Sequence, residues 1–297
     1  MIQYNPKGWF RQVYRFHKSD TIIILWKEIL IIGLITGGMT WVEINYFSDY
    51  TELENVGIIY SLIGFVLSLL LVFRTNTAYD RWWEGRKKWG SLVNNSRNLA
   101  LKISSLVESD DAKKFFGRMI PNYSFSMKEH LRAGVKIEEL ELNDQEIEEI
   151  ETLEHKPSYI AKKMYNKLAE LKTNGEISEE EFLSLDKNLL TFSDIIGACE
   201  RIKKTPIPYS YSLFLKKFIF IYVATLPIAF VQSLGYWTCP IAMFVFYVLV
   251  SIEVLAEEIE DPFGEDANDL DTEWYFCDYS SQCKGNTGLI SQSYFSS

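Results

Sequence analysis

Two long uncharged runs dominate the pattern of apolar and polar positions. Val56 to Phe73 is 18 residues without a charge, and Phe218 to Ile252 is 35. A bilayer core of about 30 Å takes about 20 helical residues at 1.5 Å rise. The longer run therefore exceeds one span and suits two short ones. Leu234 to Pro240 (LGYWTCP) supplies the Gly, Pro and interfacial aromatics for a break between them. A third block, Thr21 to Val42, is apolar except for Lys27 and Glu28 near its start, where long stems reach the headgroups. The pattern predicts four transmembrane helices. Buried core helices of a soluble protein would explain one 18-residue run, but not the 35-residue run together with the loop charges described next.

Those loop charges alternate. Lys7, Arg11, Arg15 and Lys18 precede the first block, whereas the segment after it carries Glu43, Asp49, Glu52 and Glu54 and no Lys or Arg. Arg74, Arg81, Arg86, Lys87 and Lys88 follow the second span, and Arg201, Lys203, Lys204, Lys216 and Lys217 precede the third. Basic segments on one side predict that both termini are cytoplasmic. No cleavable signal peptide is visible ahead of Thr21.

Between Arg74 and Pro208 the pattern is helical. Trp82, Trp89, Val93, Ala100, Ile103 and Val107 recur at helical spacing with no proline between Phe73 and Pro121, so span two is expected to continue as one long rod. A helix around Ala112 to Arg132 is expected to be interrupted at Pro121. Another, from Pro157 to Leu171, is closed by Asn174-Gly175. Ser178 and Glu181 fit a capping box that opens a helix running to about Lys204, and Thr205-Pro206-Ile207-Pro208 breaks the chain before span three. Glu138 to Glu154 holds nine acids in 17 residues and no base; it reads as a solvated face or, alternatively, as an acidic vestibule that concentrates cations.

In projection, Gly57, Ser61, Gly64 and Ser68 share a narrow stripe of span two, a small-residue edge that permits close helix approach. Phe65, Leu69 and Phe73 share the neighbouring stripe. Repeated about an axis, that stripe would make stacked apolar rings able to gate ions by dewetting. On spacing alone a face toward lipid or another helix is the simpler reading.

Composition narrows the function classes. The chain has 297 residues, 30 Lys+Arg against 40 Asp+Glu, and a formal net charge of −10, which argues against a nucleic-acid partner. The four cysteines (Cys199, Cys239, Cys277, Cys283) form no C-x-x-C pair, and His17, His130 and His155 are scattered, so no zinc spacing can be assembled. No H-E-x-x-H, G-x-S-x-G or P-loop is present, which argues against an enzyme. A secondary transporter would show internal repeats, and none is apparent although Pro227 breaks span three. A transporter or a membrane-bound scaffold stands as the alternative to a channel.

The stretch Phe73-Arg74-Thr75-Asn76-Thr77-Ala78-Tyr79-Asp80-Arg81-Trp82-Trp83-Glu84-Gly85-Arg86, followed by Trp89-Gly90, resembles the hallmark of bacterial bestrophins. Thr205 to Pro208 resembles that family's second constriction, and Asp261-Pro262-Phe263-Gly264-Glu265-Asp266 its segment after span four. The resemblance covers about Trp9 to Glu273. It implies an all-α polytopic membrane protein with four transmembrane helices and a helical cytoplasmic region, assembled as a bestrophin-like homopentamer around one axial pore. By position it implies a pore neck of Phe65, Leu69 and Phe73 and a cytoplasmic aperture at Ile207. In the animal members the matching acidic loop clasps calcium. Glu265, Asp266 and Asp269 occupy corresponding positions here, but Ala267 and Asn268 replace acids and no EF-hand pattern exists. Bacterial members of the family do not depend on calcium, so the resemblance implies a solvated acidic segment and no cofactor, with calcium at Glu265, Asp266 and Asp269 the alternative.

The organisation expected is a cytoplasmic N-terminal segment (1–20), spans one and two (21–73), a cytoplasmic helical region (74–208), spans three and four (209–256), an acidic segment (257–273) and a divergent tail (274–297) in a bacterial inner membrane. The function expected is passive conduction of monovalent ions: chloride by family resemblance, with cations the alternative that the acidic segments would suit. Arg74 is expected either to place a positive charge below the neck or to pair with Asp80 or Glu84 on its own helix.

Overall fold

An uncharged run that continues, without a proline, into a polar stretch of helical periodicity makes the longest helix among the described residues. In a computed structural model, which describes residues 21–47, 56–132, 134, 136–266 and 268–270, α1 is Thr21–Tyr46 and α2 is Val56–Leu106. At 51 residues α2 is about 76 Å long, and it is the single rod the spacing predicts. The order continues with α3 (Asp110–Leu131), a 3₁₀ turn (Ile137–Glu139), α4 (Asp144–Glu151), α5 (Lys156–Thr173) and α6 (Glu179–Lys204). Then come α7 (Tyr209–Ala224), α8 (Leu226–Leu234), a second 3₁₀ turn (Gly235–Trp237) and α9 (Thr238–Glu260). No strand occurs among the described residues. The N-terminal segment, Asp49, Glu52, Glu54, Cys277, Cys283 and the tail from 274 lie outside those residues.

Contacts divide the described chain into an apolar unit (21–82 and 206–261) and a polar unit (83–205 and 262–270), with the first division falling inside α2. In the apolar unit, Thr21–Tyr46, Val56–Leu106 and Tyr209–Glu260 are each long and apolar enough to cross a membrane. The third stretch is folded. Pro227 lacks an N–H for the helical ladder, so α7 stops at Ala224 with Thr225 as its cap. Gly235 at φ +55 then turns the chain where a Cβ would be strained. Leu215, Ile219 and Val223 of α7 meet Ala242 and Phe246 of α9 in one core, with Ile32 of α1 and Leu67 and Leu71 of α2.

The polar unit is built from capped helices. Ser178 accepts the Glu181 N–H while the Glu181 carboxylate accepts the Ser178 N–H, the capping box the spacing predicts. Asn174 caps the end of α5 and Gly175 follows at φ +73. Pro121 does not interrupt its helix: α3 runs unbroken from Asp110 to Leu131. From Phe116 onward α3 is buried on nearly every side, against α5 and α6, and that tertiary packing outweighs the local cost of a proline. Inside, Tyr123 stacks on Phe192 at 4.8 Å and donates its hydroxyl proton to the Phe192 carbonyl at 2.8 Å.

The acid-rich 138–154 stretch is more ordered than a solvated face requires. Asn143 and Glu146 form a second capping box at the start of α4. Arg118 of α3 grips both oxygens of Glu146, and Lys163 of α5 meets Glu149 at 2.6 Å. Burial pushes the Glu146 carboxyl up, but the Arg118 hydrogen bond, the Asn143 N–H and the Arg118 and Lys163 charges outweigh it and hold the pKa below the usual carboxylate range. A depressed folded-state pKa gives stability that is present above the unfolded value and lost as pH falls through the folded one. The stability advantage of wild type over Glu146→Gln should therefore be constant near neutrality and vanish on acidification. Thermal unfolding of both proteins against pH measures it.

Candidate functional site

The buried face of α2 in the apolar unit is a single stripe. Leu67, Leu71, Arg74 and Ala78 are all at most 2% exposed and recur at i, i+4, i+7 and i+11. At 100° per residue the side of the helix about 180° away carries Ile58, Leu62, Phe65, Leu69 and Phe73. These are 71, 64, 67, 44 and 55% exposed. No described element of the chain covers them. The three residues expected in the neck thus sit together on the bare side of α2.

The small-residue edge is partly used within the chain. A Cβ on Gly64 would come within 2.6 Å of the Tyr222 hydroxyl oxygen of α7, and one on Gly57 within 3.8 Å of Phe230 of α8. Ser61 and Ser68 are exposed, and their hydroxyls donate back to the carbonyls of Gly57 and Gly64. Tyr60 fixes the same edge by donating to the Thr225 carbonyl at 2.9 Å.

Arg74 does not point into the exposed stripe, nor does it pair along α2. Its side chain is 1% exposed, and Nη2 donates to Glu260 Oε2 at 2.6 Å. Asp80 and Glu84 are six and ten positions on, outside the i+3 and i+4 reach of a helical pair. Glu84 pairs instead with Arg201 at 2.6 Å. Glu260 is the residue the sequence reading missed, and it joins three segments. Its Oε2 holds Arg74, its Oε1 accepts the backbone N–H of Ile207, and its carbonyl accepts Nε of Arg81 at 3.1 Å. Ile207 is half-buried and held by its backbone, which leaves its side chain free of that task. A signal was available: Glu253, Glu257 and Glu260 recur at i, i+4 and i+7 on the end of an apolar helix, where a lone carboxylate is expensive without a partner.

The remaining motif residues surround this joint. Tyr79 stacks on Trp82 at 6.2 Å, and Lys87 sits over the Trp83 ring. Asn76 and Tyr79 are exposed, Arg86 is half-buried, and its Nη1 lies where a Cβ on Gly90 would need room. In the polar unit Gly85 is buried because Pro262 and Phe263 press on it; a Cβ there would meet Pro262 Cγ at 2.9 Å. Trp89 backs the same contact, 6.3 Å from the Phe263 ring. The Asp-Pro-Phe segment and the Glu-Gly-Arg segment are thereby two halves of one packing contact.

The acidic residues that follow do not make a good cation cage. Asp269 is 2% exposed and its Oδ2 already accepts the Asp266 N–H at 2.6 Å. Leu270 donates to the Pro262 carbonyl at 3.0 Å, so the carboxylate closes a turn of its own chain. Glu265 and Asp266 point into solvent. Among the described residues these three carboxylates do not gather as a ligand set.

Removing the Glu260 charge should be severe. Glu260→Gln leaves a guanidinium buried without its counter-charge, a loss of about 3–5 kcal/mol. Adding Arg74→Met to that variant should recover much of the stability. Thermal unfolding of the single and double variants in detergent measures both effects.

Comparison with known proteins identifies the family. The family model for bacterial/fungal bestrophin proteins matches residues 1–283. A voltage-dependent anion channel-forming protein of Nostoc sp. is 40% identical over 212 residues, covering 69% of each chain. A similarly described protein of Ralstonia nicotianae is 29% identical over 268 residues, 88% of this chain and 86% of that one. The crystal structure of a bacterial bestrophin homologue from Klebsiella pneumoniae superposes with a TM-score of 0.82 at 26% identity, over 90% of this chain and all of the other. Matching motifs, a matching helical fold and a family model that spans nearly the whole sequence make this chain a membrane protein of the bestrophin family.

Proposed function

We propose that the protein is a passive channel for monovalent anions, chloride above all, formed by five copies around a central pore. The observation that carries this reading is the bare apolar stripe of α2, lying about 180° from the face the chain buries. A stripe of Phe and Leu turned away from its own fold needs a partner surface, and copies of itself about an axis supply one. Phe65, Leu69 and Phe73 then form stacked rings that hold back water and ions until they part. Ile207, fixed through Glu260, forms a second narrow ring below them. The relatives described as anion channel-forming support the sign of the permeant ion.

In this reading the membrane is crossed four times: by α1, by the apolar part of α2, and by the two legs of the 209–260 stretch on either side of Gly235. The basic segments support a reading in which both termini lie in the cytoplasm, the membrane being a bacterial inner membrane. Conduction is independent of calcium, because Asp269 is engaged in closing its own turn.

Purified protein in planar bilayers with asymmetric NaCl tests the reading. Stepwise currents that reverse near the chloride equilibrium potential are the expected outcome; reversal at the sodium potential would make it a cation channel, and saturable flux without steps a transporter. Replacing Phe65, Leu69 and Phe73 together with alanine should raise conductance or open probability, and unchanged currents would remove those side chains from the gate. Currents should also persist with excess chelator present, and their loss and recovery on adding calcium would restore a calcium site.

A further inference from the structure

One cluster of side chains in the polar unit lies apart from the residues assigned to the pore. His130, near the end of α3, His155, at the start of α5, and Glu200, near the end of α6, converge from three helices. His130 Nε2 is 2.7 Å and His155 Nε2 3.1 Å from the same oxygen, Glu200 Oε1. The rings lie 4.6 Å apart, and one ligand atom from each of the three residues falls within 4.8 Å of the others. Among the described residues this is the one group of His, Cys, Asp or Glu side chains gathered closely enough to hold a metal ion. Each side chain is partly open to solvent, so an ion and its remaining waters have access.

We propose that His130, His155 and Glu200 form a binding site for a borderline divalent transition ion, of which Zn²⁺ is the representative. Two imidazoles and a carboxylate suit that class of ion and not calcium, which takes oxygen ligands alone. With bonds of about 2.0–2.2 Å, tetrahedral coordination spaces neighbouring ligand atoms by about 3.3 Å. The 2.7 and 3.1 Å separations need to open by about 0.6 and 0.2 Å, and the two imidazole nitrogens, within 4.8 Å of each other, can adjust to the same spacing. Three protein ligands leave a position for water.

Two further features bear on the energetics. His155 Nδ1 accepts the Ser158 N–H at 3.2 Å and so caps α5, which puts the proton of the neutral ring on Nε2. Coordination through Nε2 moves that proton to Nδ1 and gives up the cap. One lost cap is a small cost beside coordination of an ion by three side chains. The Glu200 carboxylate also has a lysine beside it. Lys204 is 3.4 Å away and 71% exposed, so water screens its repulsion of a cation.

The consequence is a cross-link that a helix bundle otherwise lacks. A bound ion would tie α3, α5 and α6 together, and α6 is the helix whose end leads through Thr205–Pro208 to Ile207. Sequence spacing hides the site, because the three ligands lie 25 and 45 residues apart and follow no zinc pattern.

Zinc titration of the full-length detergent-solubilised protein tests the site. The protein should carry no polyhistidine tag, be stripped with a chelator and compete with a chromophoric indicator for Zn²⁺. Wild type should take up one Zn²⁺ per subunit, and added Zn²⁺ should raise its Tm. His130→Ala, His155→Ala and Glu200→Gln should each bind at least tenfold more weakly and lose the Tm shift, while keeping the wild-type helical circular dichroism. Co²⁺ should give the intense visible band of a tetrahedral site in wild type only. If folded wild type shows no saturable uptake, or all three variants bind as tightly as wild type, the site does not exist.

Discussion

A buried guanidinium needs a counter-charge that cannot leave, and Arg74 has one in Glu260. Taking either charge out of water costs several kcal/mol, and only their close approach offsets it. Because Glu260 also holds the Ile207 N–H and Nε of Arg81, that one electrostatic requirement fixes three pieces of chain at once: α2, the end of α9, and the segment before α7. The orientation of α2 about its own axis follows. With Arg74, Leu71 and Leu67 turned inward, Phe65, Leu69 and Phe73 have no choice but to face away.

The same helix thus serves two chemistries on opposite sides. The inward side is matched by its own chain, apolar against Ile219 and Val223 and charged against Glu260. The outward side is matched by nothing among the described residues, although it is as greasy as the core. A helix apolar all round belongs in an apolar surrounding. Lipid would meet that demand for Ile58 and Leu62 as readily as another protein copy would. The stripe ends at Phe73, next in the chain to Arg74, whose partner Glu260 also holds the Ile207 backbone.

In the polar unit, order comes from caps and ion pairs laid on a modest apolar core. Capping boxes at Asn143 and Ser178 start two helices, and the Arg118–Glu146 and Lys163–Glu149 pairs bind an acid-rich segment that composition alone would assign to solvent. Half-exposed pairs contribute little singly, so it is the Glu146 contact, with its carboxylate buried and doubly held, that carries most of this ordering. The acid count of a segment says how many charges must be solvated or paired; which ones are paired depends on what folds against them.

Much of this architecture was legible in the sequence because it is governed by local periodicity. The uncharged runs, the rod through Trp82 and Trp89, the box at Ser178, the Asn174-Gly175 stop and the breaks at Pro227 and Gly235 all follow from residues within a few turns of one another. Pro121 was misjudged because its cost is local while the burial that outweighs it comes from α5 and α6. Arg74 was given the wrong partner because sequence proximity favours Asp80 and Glu84, whereas its partner lies 186 residues away. The His130–His155–Glu200 cluster was invisible for the same reason. Periodicity along one chain determines which faces are apolar and where helices begin and end; only the folded arrangement decides which charges meet, since that depends on distances between helices that no local spacing encodes.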